Sequence, residues 1–314
     1  MHVGLVFSFP LYSMGTKLLH AVIIFMGWMP FWMMYMLSDV LYIIVYRILG
    51  YRKEVVAKNL KIAFPEKSDA ERKKIMDTFY RNFLDMSLES IKGFTIGEEE
   101  LISRYTFAKS EYASFLKTDK QSVIAVAGHY TNWEWGVKIT PPQVGAKKVV
   151  GIYKPIKNKA IEELTNSYRR LFGMNLVPTT ETRLAFDEYV PKNGLFMMVA
   201  DQSPTNVEKS YWTMFFNRPT MTLHGPEYYA RKYKLPIVFL DIQRVKRGYY
   251  TVTPSSLVQD SSQYEDGVPT QMYMSKLEEI IKAKPEDWLW THKRWKHNIE
   301  KYPNARVVGM KTNS

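Results

Sequence analysis

A histidine directly after an apolar strand is the strongest chemical signal in the sequence. Residues 122–127 form a predicted buried strand, Gly128 permits a turn, and His129 follows where the chain passes into a helix. Open α/β sheets commonly bind ligands at this end of their strands. Glu134 comes shortly afterwards, so the two side chains can meet if His129 precedes the helix and Glu134 lies within it. His129 and Glu134 are therefore a candidate acid–base pair.

In such a pair the carboxylate keeps a proton on one imidazole nitrogen and leaves the other free to accept one from an attacking hydroxyl. No serine nucleophile is needed if the acceptor's own hydroxyl attacks an acyl thioester. This arrangement predicts acyl transfer, with His129 as general base and Glu134 orienting it. Spacing alone equally permits a second interpretation, in which His129 caps the helix and Glu134 pairs with a surface lysine.

The remaining residue types exclude several other chemistries. The sequence has no cysteine, which excludes disulfides, thiolate zinc sites and a cysteine nucleophile. Its six histidines form no His-Glu-x-x-His pair, so we expect neither a metal site nor a cofactor. A serine hydrolase is disfavoured because the sequence contains no Gly-x-Ser-x-Gly motif.

The charge of the chain indicates an anionic partner. Its 314 residues include 43 Lys and Arg against 31 Asp and Glu, a net charge of +12. Nucleic acid, phospholipid headgroups and an acidic carrier protein would all suit this excess. We expect no nucleic-acid partner, because zinc-finger spacing, an RNP-like run and a Walker loop are all missing from the sequence.

The N-terminal part of the chain predicts a membrane anchor. No Asp, Glu, Lys or Arg occurs from Leu18 to Ser38, and a helix of this length can cross roughly 30 Å of hydrocarbon. A buried core helix is the alternative. Basic residues are concentrated after this segment, so the positive-inside rule predicts a single-pass anchor within residues 1–50 and a cytoplasmic catalytic domain.

Residues 51–314 are predicted to form that catalytic domain, which belongs to the α/β class. Residues 51–120 predict a helical layer, and beyond it strands alternate with helices, which implies a mainly parallel sheet flanked by helices. The predicted elements are strands 122–127, 149–153, 176–178, 195–200 and 237–242, a later antiparallel strand 249–253, and helices 159–172, 183–189 and 271–282.

The chain resembles the late acyltransferases of lipid A biosynthesis, the lauroyl and myristoyl transferases of the wider lysophospholipid acyltransferase group. The matching segments are 51–60 with Phe64-Pro65-Glu66, His129-x4-Glu134, Tyr153-Lys154-Pro155 with Asn158, Arg169-Arg170 before Phe172-Gly173, Ala200-Asp201-Gln202, Phe215-Phe216 with Pro219, Thr222 and Gly225, and 290–295. Their order and spacing agree with the family. One departure is Asn217, where the family pattern has glycine.

The resemblance implies a glycerolphosphate-acyltransferase-like fold with an N-terminal membrane-anchoring helix. It implies an acyl carrier protein thioester as donor and a hydroxyl of a lipid A precursor as acceptor, which is secondary acylation in lipopolysaccharide biosynthesis. The expected location is the bacterial inner membrane. A lysophospholipid or another glycolipid is the alternative acceptor, and a non-catalytic lipid-binding module is the alternative outside enzymes.

Five further residues are predicted to bind substrate, namely Asn132, Arg169, Arg170, Asp201 and Arg294. A guanidinium group before Gly173 could bind a lipid phosphate or the phosphopantetheine of the donor, although Arg170 could equally belong to a solvated helix face. Asp201 ends a strand, where function is favoured, but it could instead cap a loop. Arg294 lies among tryptophans, a mixture suited to a phosphorylated headgroup at a membrane surface.

Overall fold

The computed structural model describes residues 14–118, 120–145, 148–205, 207, 210–302 and 307–308. Residues 1–13 of the predicted anchor, and 303–306 and 309–314 of the predicted domain, lie outside the described residues. The α-helices are α1 (Met14–Trp28), α2 (Phe31–Tyr42), α3 (Lys53–Ala63), α4 (Asp69–Gly93), α5 (Glu98–Arg104), α6 (Glu111–Lys117), α7 (Trp133–Val144), α8 (Lys159–Arg170), α9 (Thr182–Tyr189), α10 (Gly225–Tyr233) and α11 (Val268–Ala283).

The strands are β1 (Tyr105–Phe107), β2 (Val123–Ala127), β3 (Val149–Tyr153), β4 (Asn175–Pro178), β5 (Leu195–Val199), β6 (Ser210–Phe215), β7 (Arg218–Leu223), β8 (Ile237–Lys246) and β9 (Tyr249–Val258). A π-helical segment, Ile43–Ile48, continues α2. Short 3-10 helices lie at Thr179–Glu181, Val190–Lys192, Ser261–Gln263, Pro285–Asp287 and Ile299–Lys301.

The central sheet has seven strands in the order β1-β9-β8-β2-β5-β3-β4. Only β8 and β9 pair antiparallel within it, and the other pairs are parallel. The prediction of an α/β fold with a mainly parallel sheet flanked by helices is therefore confirmed. Strands β8 and β9 are longer than predicted because they form one continuous hairpin that extends to Lys246 and Tyr249.

Each face of the sheet carries its own hydrophobic core. Along β2, Ile124 and Val126 pack into the core that includes α4 and α11, whereas Val123 and Ala125 pack into the core beneath α7. Successive strand residues point to opposite faces, and every residue of β2 is buried. This is the burial expected of a central parallel strand covered on both sides.

The hairpin of β6 and β7 lies outside the central sheet and is not among the predicted elements. It turns at Phe216 and Asn217, whose φ angles are +50° and +52°. This left-handed region favours glycine and is tolerated by asparagine. The turn therefore explains both the glycine expected at position 217 and its replacement by Asn217.

An apolar N-terminal helix is present, but it does not have the predicted bounds. The charge-free segment is divided at Pro30, which is the N-cap of α2, so Leu18–Ser38 is not one helix. Proline lacks an N–H donor and disfavours helical backbone in the residue before it, which accounts for the break. The helix long and apolar enough to cross a membrane is Phe31–Ile48, with a mean hydropathy of 1.4.

Helices α1 and α2 are held against the catalytic domain. The Lys92 ammonium donates to the carbonyls of Gly27 and Met29 at 2.5 and 2.9 Å, satisfying acceptors that the end of α1 leaves unpaired. Arg247, in the turn between β8 and β9, donates to Asp39 of α2 at 2.8 Å. The helices thus lie along the domain surface.

Candidate active site

His129 lies in the turn between β2 and α7, as the sequence predicted. In the pairing of β2 with β5, Ala127 is opposite Val199. Continuing this register by two residues brings His129 level with Asp201, just beyond the carboxyl ends of both strands. Side chains at this edge of a parallel sheet converge on one site.

The imidazole of His129 is held by Asp201. Its Nδ1 lies 2.6 Å from Asp201 Oδ1, and Asp201 Oδ2 accepts from the backbone N–H of His129 at 3.1 Å and from the Trp288 indole at 2.9 Å. These contacts fix the orientation of the carboxylate. A proton on Nδ1 donates to Asp201, which leaves Nε2 as the basic nitrogen.

Asp201 is only 1% exposed. Burial raises the pKa of Asp201. The charge of His129 and the hydrogen bonds from His129 and Trp288 lower it by more than burial raises it, so that the pKa is about 2. The carboxylate is therefore ionised near neutral pH, as the orienting partner of a histidine base must be.

The second imidazole nitrogen faces Gln202. The side-chain nitrogen of Gln202 lies 3.1 Å from His129 Nε2 and donates to it when Nδ1 carries the ring proton. His129 also lines two neighbouring cavities, so its imidazole can be reached from both of them. A substrate hydroxyl that approaches Nε2 would replace the Gln202 amide.

The predicted contact between His129 and Glu134 is corrected by the structure. Both carboxylate oxygens of Glu134 accept from Arg169 of α8, from Nε at 2.6 Å and from Nη2 at 2.7 Å. Glu134 lies in the first turn of α7, where the planar guanidinium group offers it a bidentate partner. Asp201, on the neighbouring strand, occupies the position beside the imidazole that was expected for Glu134.

Two of the predicted arginines differ in their surroundings. Arg169 lines the cavity beside His129 and is mostly buried, with 14% of its side chain exposed. Arg170, the next residue, is exposed to solvent. Arg169 is thus placed to contact a bound substrate, whereas the position of Arg170 also fits the alternative of a solvated helix face.

Two cavities meet at His129 and Trp133, which line both of them. The larger, about 480 Å³, lies between α7 and the sheet and is lined mainly by apolar side chains, including Val137, Leu240 and Val252. The smaller, about 200 Å³, lies on the α4 side of the turn. Predominantly apolar cavities with a few convergent polar groups are typical of ligand sites.

Asn132 is almost completely buried at the start of α7, where it also lines the smaller cavity. It is 2% exposed; its Oδ1 accepts from Trp135 N at 3.1 Å, which caps α7, and its Nδ2 donates to Glu89 at 2.9 Å. Glu89 also accepts from the hydroxyls of Tyr35 at 2.9 Å and Tyr250 at 2.5 Å. Asn132 thus positions the turn, and its predicted role in substrate binding stays a prediction.

Arg294 is buried against β7. It is 1% exposed, and its guanidinium donates to Met221 O at 2.7 Å and to Thr222 Oγ1 at 3.0 Å, both in β7. Burial lowers its pKa to about 10. Its bonds to β7 make it a structural residue and explain why it does not lie at a binding surface.

The segment directly before residues 290–295 supports the site. Leu289 N donates to His129 O at 3.2 Å, and Thr131 N donates to Asp287 O at 2.8 Å. Thr131 has a φ of +52°, which is strained for a residue branched at Cβ. The 287–289 segment therefore holds the turn in a backbone conformation that it would not adopt alone.

Gly128 meets a steric requirement in the same turn. A Cβ atom at this position would lie 2.5 Å from Leu277 Cδ1 of α11. The absence of a side chain lets the end of β2 pack closely against α11 and sets the path of the chain into His129.

A histidine held by an ionised, buried carboxylate next to an apolar cavity can accept a proton from a substrate hydroxyl. The chain belongs to the bacterial lipid A biosynthesis acyltransferases, whose family profile matches residues 7–297. The resemblance identified from the sequence is therefore confirmed. The chain is an acyltransferase.

Two curated relatives agree with this family. The lipid A biosynthesis lauroyltransferase of Escherichia coli (strain K12) is 23% identical over 283 residues, covering 88% of this chain and 89% of that protein. The lipid A biosynthesis acyltransferase 2 of Shigella flexneri is 24% identical over 272 residues, covering 78% of this chain and 79% of that protein.

Sequence reasoning found Asp201 but did not pair it with His129, and it did not single out Glu89. A signal for the first was available, because both residues follow predicted strands. What the sequence lacked was the order of the strands, in which β2 and β5 are neighbours. Glu89 lies on a face of α4 that also buries Asp85 and Lys92, so its residue type alone did not distinguish it.

Proposed function

We propose that the enzyme transfers a fatty acyl chain from acyl carrier protein to a hydroxyl of a hydroxyacyl chain on a lipid A precursor. The observation that carries the proposal is the position of His129 Nε2, at a cavity wall and opposite the nitrogen bound to Asp201. Membership of the family supports lipid A as the acceptor class. A lysophospholipid or another glycolipid remains the alternative acceptor.

In the proposed reaction His129 acts as the general base. The acceptor hydroxyl displaces the Gln202 amide and gives its proton to Nε2 as its oxygen attacks the thioester carbonyl. The tetrahedral intermediate then collapses, the carbon–sulfur bond breaks, and the departing thiolate takes the proton back from the imidazolium. Asp201 stabilises the imidazolium between these two steps.

Arg169 would contact the substrates, and Glu134 would position its guanidinium group. The bidentate pair fixes the guanidinium plane at the wall of the larger cavity. From there its charge can stabilise the oxyanion of the tetrahedral intermediate or bind the phosphopantetheine phosphate. Glu134 thus keeps a place in the site, acting through Arg169 and not through His129.

The basic surface supports an acidic carrier protein as the donor. Lys154 lines the larger cavity, and Lys154, Lys157 and Arg170 are all exposed on the segment that surrounds it. Together with the net charge of +12, this favours a negatively charged partner at the cavity.

We also propose attachment to the bacterial inner membrane with the catalytic domain in the cytoplasm. The apolar helix Phe31–Ile48 and the membrane-associated substrates of the family support membrane association. The basic residues that follow this helix, such as Arg52 and Lys53, favour the cytoplasmic side.

Purified enzyme tests the reaction most directly. Incubated with acyl carrier protein thioester and a hydroxyacylated lipid A precursor, it should add one acyl chain to the acceptor, detected by mass spectrometry. In cells that lack the gene, lipid A should lose one secondary acyl chain. Unchanged lipid A, together with acylation of a lysophospholipid by the purified enzyme, would establish the alternative acceptor.

A further inference from the structure

We propose that the smaller cavity binds the hydroxyacyl chain of the acceptor lipid, while the larger cavity binds the acyl chain of the donor. The proposal rests on the function proposed above and assigns the two substrates to opposite sides of His129. It concerns the groove between α4 and the turn from β2 to α7 that carries His129, called the catalytic turn below. The lining of this groove includes Phe83, Met86 and Ser90 on one side and His129 and Glu134 on the other.

One stripe of α4 forms the wall of this groove. Phe79, Phe83, Met86 and Ser90 all line it, and their spacing of three and four residues places them on one face of the helix. The stripe is apolar except for serine hydroxyls, which are bonded within the helix; Ser90 Oγ donates to Met86 O at 2.8 Å. Such a wall suits a hydrocarbon chain.

The groove becomes polar where it meets the catalytic turn. His129 and Glu134 line that end together with Asp287. A chain that carries a hydroxyl group would therefore place its methylenes along α4 and its hydroxyl towards the imidazole. An unsubstituted acyl chain has no group for the polar end and can lie along the apolar side chains of the larger cavity, such as Val137, Leu240 and Val252.

The neighbourhood of the groove supports a lipid that arrives from a membrane. Helix α1 packs against Ile91 of α4, next to the groove residue Ser90, and against Leu164 of α8. The opposite side of α1 exposes large apolar side chains, among them Leu18 and Phe25 at 67% and 60%. A chain leaving a lipid surface at α1 would therefore reach the groove without crossing the protein.

Because the reaction joins two substrates that each carry an acyl chain, the larger cavity is assigned to the donor. General base catalysis requires the hydroxyl and the thioester carbonyl to meet at Nε2, so each substrate must approach His129 from its own side. The larger cavity adjoins Arg169 and Lys154, whose charges suit the phosphate of the donor's carrier arm. The smaller cavity remains for the acceptor.

Ser90→Leu tests the assignment by filling the groove. Because the Ser90 hydroxyl bonds only to its own helix, its loss leaves no distant partner unsatisfied, and leucine is the better helix former. We expect the KM for the hydroxyacylated acceptor to rise at least about tenfold, the scale of a few misfitted methylenes, with the KM for the acyl carrier protein thioester within twofold of wild type.

Ser114→Leu is the matched control. Ser114 also bonds back to its own helix, with Oγ 3.1 Å from Ser110 O, but it is exposed on α6, away from both cavities. Both KM values should match those of wild type. Val137→Phe, which narrows the larger cavity from α7, should produce the reverse pattern by raising the donor KM and shortening the preferred donor chain.

Met86→Ala distinguishes a change in the groove from a general loss of structure, because it should create a new preference among acceptors and a loss of structure would only lower activity. By enlarging the groove it should shift acceptor preference towards longer hydroxyacyl chains, measured as relative kcat/KM across a chain-length series. Ser90→Leu that leaves the acceptor KM unchanged, or changes the donor chain preference, would overturn the assignment.

Wild-type enzyme separates this proposal from the proposed function. Failure of wild type to acylate any hydroxyacylated glycolipid would reject the function itself. Normal wild-type transfer combined with a donor effect of Ser90→Leu would keep the function and reject only the assignment of the cavities.

Discussion

The carboxylate of Asp201 can influence the reaction only through the imidazole that it holds. Asp201→Asn keeps the shape of the side chain but removes the charge that stabilises the imidazolium, so kcat should fall by about a hundredfold or more. His129→Ala should cause a similar loss. Because the two residues act as one unit, the double variant should match His129→Ala within a few-fold.

Glu134→Gln provides the contrast. It weakens the bidentate pair with Arg169 and should lower activity in the native and His129→Ala backgrounds by similar factors. The measurement is single-turnover transfer from acyl carrier protein by wild type, the three single variants and the two double variants that contain His129→Ala. The opposite result would be that the effect of Glu134→Gln disappears in the His129→Ala background while the effect of Asp201→Asn persists there. It would mean that Glu134, and not Asp201, orients the base in the active enzyme.

The lowered pKa of Asp201 makes a separate prediction about stability. The ordinary pKa of an aspartate is 3.8, and in the folded protein that of Asp201 is about 2. A carboxylate with a depressed folded-state pKa stabilises the protein above its unfolded-state pKa and loses this contribution as pH falls towards the folded value.

The titration of Asp201 should therefore not change the difference in free energy of unfolding between wild type and Asp201→Asn from pH 5 to 7. The difference should shrink between about pH 4 and pH 2. Denaturant titrations across this range measure it. A difference that falls already between pH 7 and 5 would show that Asp201 takes up its proton far above the expected range.

At this scale the sequence predicted residues that the structure brings to one site, but not which of them touch. His129, Glu134, Arg169 and Asp201 were all identified from their types and from the strands or helices beside them. Their pairing depends on contacts between distant segments: β2 with β5, and α7 with α8. Local spacing favoured Glu134 as the partner of His129 because the order of strands in a sheet is not written in any one segment.

Among the elements, α4 links the N-terminal helices to the catalytic turn. Its Glu89 binds Tyr35 of α2 through one carboxylate oxygen and Asn132 through the other. Glu89 is fully buried, and burial raises its pKa although the hydrogen bonds from Tyr250, Asn132 and Tyr35 lower it. Asn132 then caps the helix that begins directly after the His129 turn.

Glu89→Gln should disturb the turn as well as the fold. Its amide group cannot accept from Tyr35, Tyr250 and Asn132 together, so about 1 kcal/mol of stability should be lost for each hydrogen bond. We expect kcat to fall by about tenfold, with little change in either KM, because the base is misplaced and the cavities are not.

Tyr250→Phe is the control for Glu89→Gln. It removes a hydrogen bond to the same carboxylate but leaves the bond to Asn132 in place. At a comparable loss of thermal stability, Tyr250→Phe should retain most of the wild-type kcat. Equal losses of kcat in the two variants would mean that Glu89 contributes to stability alone.

The elements themselves were largely predictable from periodicity, with two instructive exceptions. The central strands β2, β3, β5 and β8 follow apolar runs and were identified. The β6–β7 hairpin is not predicted because Phe216, the first turn residue, is not a residue type that indicates the left-handed backbone found there. The charge-free composition predicts one N-terminal helix, whereas the restricted backbone at Pro30 divides it into two.

For the whole molecule, the N-terminal helices provide a large apolar surface next to the site. Exposed fractions reach 67% for Leu18, 60% for Phe25 and 82% for Trp28, although other parts of α1 and α2 pack on the catalytic domain. Burying such side chains in lipid yields roughly 1.5–3 kcal/mol each. This surface would keep the groove along α4 close to the membrane that supplies the acceptor.

The last prediction follows from that surface. Because hydrophobic insertion is not screened by ions, wild-type protein should stay bound to vesicles of neutral and anionic phospholipid when the salt concentration is raised to 1 M.

The combined variant Leu18→Ser, Phe25→Ser and Trp28→Ser should bind vesicles at least about tenfold more weakly in a flotation assay, given the burial energy of three large side chains. Leu184→Ser is its control, since Leu184 is 64% exposed on α9, outside the N-terminal helices, and it should bind as wild type does. In detergent, where the acceptor is supplied without a bilayer, the combined variant should recover most of its turnover. Release of wild-type protein by salt would show that its positive charge, and not this apolar surface, holds it to the membrane.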